Sequence, residues 1–330
     1  MTITNEPMSN HTSLKVGGSA DLYVMAASRD QLISAYTKSA KNNMSIFILG
    51  GGTNILVGDK GIRGAVVKNN WRDLEIGGTV KTKLIEERKK RNQQTIWRTG
   101  LLNWDDLGIS SATEGIKIKV SSGYSLPLLI SETLKRGITG LELFSGIPGT
   151  VGGAVWNNIH GADWFFGDFL DEVEVCNNNG NVYCIKNDRL SLEYNDSYFH
   201  THDLLIVSAT LNLFLGDVKH AKETSKEWIK RKTVQPKNSA GCIFSNITEE
   251  EKIKAGLDNL SVGYIIDKVL GLRGYQVGQA KISESHANFI ETFSGAKASH
   301  VVAVIDHVKN LAKEKLGLNL IEEIVRVGEF

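Results

Sequence analysis

Two segments of this chain are unusually dense in glycine. Leu49 to Asp59 reads LGGGTNILVGD, a triplet of glycines directly after the apolar run IFIL, and Phe144 to Val155 reads FSGIPGTVGGAV. Without a Cβ the backbone can adopt positive φ and can be approached closely by another group, so a glycine-dense turn leaving an apolar strand can aim several amides at one anion. Neither segment has the GKS or GKT of a nucleoside-triphosphate loop or the GxGxxG spacing of a dinucleotide-binding turn, which disfavours kinases, GTPases and ordinary nicotinamide dehydrogenases. Either segment alone reads equally well as a tight structural turn. Together they favour one extended diphosphate ligand.

At 330 residues the chain exceeds what one hydrophobic core usually sustains, so two or three packed units are expected. Its 38 Lys and Arg balance 37 Asp and Glu, which leaves no broad field for nucleic acid or an anionic membrane. Any anion must therefore be held locally. The opening MTITNEPMSN lacks the basic and apolar regions of a signal peptide, and no apolar run approaches the ~20 residues of a membrane span, so a cytoplasmic protein without membrane insertion is expected. Cys176, Cys184 and Cys242 form no CxxC pair and support neither a disulfide framework nor a metal site.

Along the chain, Ser28 is placed to cap a helix over SRDQLISAYTKSAKNN, and SIFILG reads as a buried strand entering the glycine triplet, a βαβ beginning. The charged, poorly periodic stretch near 80–115 reads as a solvated insertion. DEVEVCNNNGNVYCI is a hairpin turning at Asn178, Asn179 and Gly180, with Cys176 and Cys184 as half-buried strand thiols. DVKHAKETSKEWIKRKTV is an amphipathic helix that would open a new unit, with the boundary near Gly216, and the remainder alternates helices and short strands as a small α/β lobe. The expected division is 1–215, with lobes of about 1–70 and 71–215, followed by 216–330.

The two loops, with NHTSLKVGGSADLYV before them and YNDSYF, QPKNSAGCIF, IIDKVLGLRGYQVGQAKISESHANFI and LIEEIVRVG after them, resemble the UDP-N-acetylenolpyruvoylglucosamine reductase (MurB) family in the family's own order. The resemblance spans residue 10 or so to the C-terminus, interrupted mainly by the charged insertion. It implies an α+β fold: a two-lobed FAD-binding domain of the vanillyl-alcohol-oxidase type followed by a smaller α/β substrate-binding domain. It further implies that Gly50, Gly51, Gly52, Thr53 and Asn54 wrap the FAD diphosphate, with Ile147, Gly149, Thr150, Gly152 and Gly153 closing from the second loop. A monomer is expected, with NADPH as electron donor and a UDP-sugar as substrate.

The family's chemistry passes hydride from flavin to an enolpyruvyl double bond, and so needs a proton donor at the adjacent carbon and a group that stabilises the enolate. The resemblance puts Cys242, in NSAGC, in the donor's place. A free Cys is otherwise most often an inert buried residue, but a thiol of reference pKa ~8.5 is a better acid than a serine hydroxyl. Glu323 falls at the place of the family glutamate, with Glu322 the alternative one register away. Tyr194, Asn246 and His286 match substrate positions.

Three departures stand out. Asn195 replaces an arginine of the YRxSxF motif that grips the enolpyruvyl carboxylate, and an amide offers neither the charge nor the fork of a guanidinium. Arg326, Arg273 or Lys237 could compensate. Ser245 stands where a lysine is frequent. The run VWNNIHGADWFFGD is longer than its counterpart; His160 in it reads as an ordinary loop histidine, and Trp164, Phe165 and Phe166 read as packing between lobes. These departures keep two alternatives open: a family member acting on another substrate, or a flavin-binding regulatory protein without reductase activity.

Overall fold

The computed structural model describes residues 2–81, 114–161 and 164–330. Most of the charged stretch near 80–115 lies outside the described residues. The first part of the chain forms β1 (Thr2–Pro7), β2 (Ser19–Ala26), α1 (Arg29–Lys41), β3 (Ile46–Leu49), β4 (Ile55–Val57), β5 (Ile62–Asn69) and β6 (Leu74–Lys81). There follow β7 (Glu114–Ser121), α2 (Leu126–Lys135), α3 (Val151–Trp156), β8 (His160–Gly161), β9 (Trp164–Phe165), β10 (Leu170–Cys176), β11 (Val182–Lys186) and β12 (Leu205–Phe214). The last part holds α4 (Val218–Lys232), α5 (Glu249–Lys254), β13 (Gln276–Val277), β14 (Ala280–Ile282), β15 (Ile290–Thr292), α6 (Ala298–Leu316) and β16 (Val325–Val327). β1, β2, β5 and β3 lie in that order in a four-stranded sheet.

By compactness the chain divides into one unit of Met25–Gly50 and Val67–Thr233 and another of Met1–Val24, Gly51–Val66 and Val234–Phe330. This differs from the linear cut expected near Gly216. Helix α4 does not open a new unit: Asp217 caps it by accepting from the His220 amide at 3.0 Å, Ala221 and Ser225 are buried, and Ser225 shares a 2.7 Å hydroxyl bond with Ser145. Its apolar stripe covers the turn at Glu142–Phe144, so it completes the older core.

The core of the first unit is the five-stranded sheet β11-β10-β12-β7-β6, antiparallel throughout. Its central strand LIVSATLNLF is buried almost end to end, as a strand covered on both faces must be. Its last residue Phe214 and the neighbouring Phe144, Phe166 and Phe169 are fully buried in one core, each contributing about 1.5–3 kcal/mol by leaving water. Trp164 belongs to this core too, so Trp164 and Phe166 fill one unit's interior rather than an inter-lobe seam. Helix α1 forms as expected, with the Ser28 hydroxyl accepting from the Gln31 amide, acidic Asp30 in the first turn and Lys38 and Lys41 in the last, matching the helix dipole at both ends. The β10–β11 hairpin closes through Asn177, whose side-chain oxygen accepts from the amides of Asn179 and Asn181. The two strand thiols are not alike: Cys176 is buried, whereas Cys184 is exposed because β11 is the edge strand.

The second unit is built on α6 and the sheet β13-β14-β15. Val301, Val304, Ile305 and Val308 form the buried face of α6, spaced at helical intervals. Asp59 accepts from the Ala298 and Ser299 amides at the start of α6, and Gly317 ends it at φ 68°, a left-handed cap that glycine adopts without strain. Among the described residues no helix is long and apolar enough to cross a membrane, and no group of His, Cys, Asp or Glu is arranged to hold a metal ion.

Candidate active site

The glycine triplet contributes to both units. In the first unit Gly50 approaches the second glycine loop directly: a Cβ on Gly50 would lie 2.6 Å from Thr150 Oγ1, so no other residue fits. In the second unit Gly52 has φ 68°, and a Cβ there would lie 2.1 Å from the His11 carbonyl oxygen, while its own carbonyl accepts from the Ser13 amide at 2.9 Å. Among the described residues the amides of Gly51 and Gly52 donate to no acceptor, which leaves them available to an anion.

The second loop is narrower as a donor than its sequence suggests. The Val151 amide donates to Tyr124, Gly152 to Ser122 and Ile147 to Phe144 through main-chain bonds, and the Gly153 amide donates to Thr150 Oγ1 at 3.3 Å. Gly152 is small for packing, since a Cβ there would meet Ser122 at 2.9 Å. Ile147, Gly152 and Gly153 therefore shape the loop, and among the described residues the amides of Gly146, Gly149 and Thr150 are left as donors in it. Each unit thus offers main-chain donors of the kind an anion takes, at Gly51 and Gly52 in the second unit and, separately, at Gly149 and Thr150 in the first.

Within the second unit three sequence-selected residues converge through the main chain. Asn54 accepts from the Val325 amide at 3.1 Å, and its Nδ2 donates to the Glu323 carbonyl at 3.2 Å. The Glu323 amide donates to the Ile243 carbonyl at 2.8 Å, one residue beyond Cys242. Gly241, at φ 79°, bends the chain just before the half-buried Cys242. Asn288, only 3 % exposed, holds this turn: its carbonyl accepts from the Ile243 amide, its Oδ1 from the Phe244 amide, and its Nδ2 donates to the Phe244 carbonyl. Residues 270 positions apart in the sequence's two halves of this ladder are thus neighbours only through β4 pairing in parallel with β16.

Glu322 is committed elsewhere. Its carboxylate takes a paired contact from Arg326 at 2.8 and 2.9 Å and another from Lys309 at 3.0 Å. Burial pushes Glu322 up, but the hydrogen bonds from Arg326 and Lys309 outweigh it and hold the carboxyl below its ordinary value. Arg326 is thereby engaged, and Arg273 likewise, donating to Asp267 at 2.8 Å and to the Glu284 carbonyl. Neither is a free substitute for an arginine at position 195. Lys237 is exposed.

Asn246 Oδ1 accepts from the Val262 amide at 3.3 Å, and His286 packs against Phe289 with ring centroids 4.7 Å apart. Both serve the second unit's own packing. Tyr194 and Asn195 belong to the first unit, on a tight loop closed by the Glu193–Asp196 bridge, with Asn195 at φ 52°, a conformation asparagine tolerates better than most residues. His160 lies over Tyr194 at 5.1 Å between ring centroids and meets Phe165 at 6.2 Å.

Sequence reasoning missed two residues here. Asn158, 1 % exposed, donates to the Glu193 carbonyl at 2.8 Å and accepts from the Gly167 amide at 2.9 Å, which ties the Tyr194 loop in place. Its sign in the sequence is only the second asparagine of the pair Asn157–Asn158. Lys68 donates to the Gly50 carbonyl, and nothing local distinguishes it from other lysines.

An α+β chain whose glycine turns keep main-chain amides uncommitted belongs with the FAD-dependent oxidoreductases. Comparison with known proteins agrees. Residues 101–185 match the family model described as FAD binding domain, and 234–327 match that of UDP-N-acetylenolpyruvoylglucosamine reductase, C-terminal domain. The chain is 32% identical to the UDP-N-acetylenolpyruvoylglucosamine reductase of Caldanaerobacter subterraneus subsp. tengcongensis, over 98% of this chain and 93% of the relative. It is 32% identical to the Bacillus subtilis reductase, over 99% and 94%. The solved structure of UDP-N-acetylenolpyruvylglucosamine reductase from Thermus caldophilus superposes with a TM-score of 0.71 at 26% identity, covering 99% of this chain and 98% of that one. The chain belongs to the UDP-N-acetylenolpyruvoylglucosamine reductase family.

Proposed function

We propose that the chain reduces UDP-N-acetylenolpyruvoylglucosamine to UDP-N-acetylmuramate with NADPH as electron donor, a step in making peptidoglycan precursors. The observation that carries this reading is the Glu323 amide donating to the Ile243 carbonyl, which brings Cys242 and Glu323 to one ladder beside Asn54. Bound FAD supplies the hydride, taken from NADPH, that adds to one carbon of the enolpyruvyl double bond. By the family resemblance, Gly50, Gly51, Gly52, Thr53 and Asn54 of the first loop and Ile147, Gly149, Thr150, Gly152 and Gly153 of the second would hold its diphosphate. Hydride addition leaves negative charge spread toward the substrate carboxylate. Glu323, in its acid form, donates a hydrogen bond to that enolate. The Cys242 thiol gives its proton to the adjacent carbon, which completes the reduction. Asn195, in the place of the family arginine, is assigned to the catalytic set with Cys242 and Glu323, and Tyr194, Asn246 and His286 are assigned to the substrate.

Anaerobic rapid mixing tests this in two stages. NADPH should bleach the flavin absorbance, and the UDP-enolpyruvyl sugar should then restore it. In Cys242→Ala the bleaching should proceed nearly as before, while its reversal slows by ~10² to 10⁴; reversal at the wild-type rate would remove Cys242 from the mechanism. One observation favours a second reading, a family member with another substrate: Asn195 occupies the arginine's place, and Arg326 and Arg273 are engaged in their own ion pairs. Bleaching by NADPH with no reversal by the sugar would select that reading. A chain that accepts electrons from neither nicotinamide nucleotide would instead be a flavin-binding regulator.

A further inference from the structure

Lys68 stands near the end of β5, half-buried, and its Nζ donates to the Gly50 carbonyl. Gly50 is also the point at which the first glycine loop meets Thr150, with only 2.6 Å between a built Cβ and Thr150 Oγ1. Lys68, Gly50 and Thr150 thus share one small region of a single unit. Two features make this ammonium unusual. Its hydrogen-bond acceptor is a neutral carbonyl rather than a carboxylate. Burial, and then the nearby positive charge of Arg72, pull its pKa below the ordinary lysine value. A cation partly withdrawn from water, beside another cation and, among the described residues, bonded to a carbonyl and to no carboxylate, is costly until an anion arrives. On the FAD reading of the loops, the anion that would come to this seam is the diphosphate of the cofactor.

We propose that Lys68 is a cofactor-binding residue whose ammonium contacts the diphosphate of FAD where the two glycine loops meet, supplying a positive charge that backbone amides cannot. This rests on the FAD reading of the loops. It also accounts for how a chain of net charge +1 retains a dianionic bridge: the charge is placed, not spread. Lysine suits the task as a compact point charge, while the amides supply direction.

Lys68→Gln separates charge from geometry, because a glutamine amide can still donate to the Gly50 carbonyl. FAD affinity is measured by titrating the deflavinated full-length protein and following flavin fluorescence, with ADP and adenosine as competitors. Lys68→Gln should weaken FAD and ADP about 10- to 100-fold at low salt, the range of one charge-assisted contact, and leave adenosine unchanged. The difference should narrow as salt rises, and Lys68→Arg should stay within about threefold of wild type. Equal FAD affinity and equal salt dependence in Lys68→Gln would overturn the assignment and leave the FAD reading intact. Wild-type protein that takes up no FAD would sink the reading beneath it. A measurement free of variants is the rate at which an amine-reactive acylating reagent labels Lys68, read by mass spectrometry: FAD should protect it, and identical labelling with and without FAD would also overturn the proposal.

Discussion

Asn158 shows how much one side chain can decide. It is almost fully buried, sits at φ 41°, and joins two loops with its two amide ends. Asn158→Asp keeps an acceptor for the Gly167 amide, tolerates the same backbone, and sets a carboxylate oxygen against the Glu193 carbonyl. The cost should be about 1–3 kcal/mol, that of a buried hydrogen bond lost. On the proposed function, the Michaelis constant for the UDP-sugar should rise about tenfold, with flavin content and reduction by NADPH unchanged, because the Tyr194 loop loosens and the glycine cradle does not. An unchanged Michaelis constant would detach that loop from substrate binding. The glycines teach the same lesson: Gly50, Gly52 and Gly152 look alike in the sequence, yet Gly152 donates its amide to Ser122 while the Gly52 amide stays uncommitted. A run of small residues announces close approach. It does not say which approach is to a ligand.

Among the elements, the segment that carries Glu323 into β16 is anchored by the neighbouring Glu322. Glu322 reaches Lys309 on α6 and Arg326 on β16, so it ties helix to strand beside the candidate catalytic residue. Because its folded pKa lies below the ordinary 4.5, this contact stabilises the protein above that value and is lost as pH falls through the lowered one. Glu322→Gln should therefore melt below wild type at pH 7, and the gap should close toward pH 3; a gap constant from pH 7 to pH 3 would show that the carboxylate's charge contributes nothing. Helix α1, capped by Ser28, and the hairpin at Asn177–Asn181 were legible because each is specified by contacts a few residues apart. The exposure of Cys184 was not, since strand order in a sheet makes β11 an edge. Nor was the role of α4, whose polar face reads identically whichever core its apolar stripe covers.

For the molecule as a whole, the chain passes between its two compact units four times. A cut at the boundary expected near Gly216 would remove α4 from the core around Phe144 and separate Met1–Val24 from the segments it packs with. The fragment 1–215 should thus lack a cooperative thermal transition by circular dichroism and expose apolar surface to a hydrophobic dye. A fragment melting as sharply as the full chain would show that this division misdescribes the fold.

What the residues determined unaided were features written within short stretches: the glycine turns, the helix caps, the hairpin, and the ordered motifs that mark the family. Such features rest on local dihedral preference and on hydrogen bonds spanning a few positions. The tertiary structure alone decided that Glu322 is the carboxylate bonded to Arg326 and Lys309, that Asn54 meets a carbonyl far along the chain, and that Lys68 stands at the Gly50–Thr150 seam. The physical reason is that burial, strand pairing and counter-charge belong to the packed chain: a lysine or glutamate has the same local chemistry everywhere in a sequence until folding gives it neighbours.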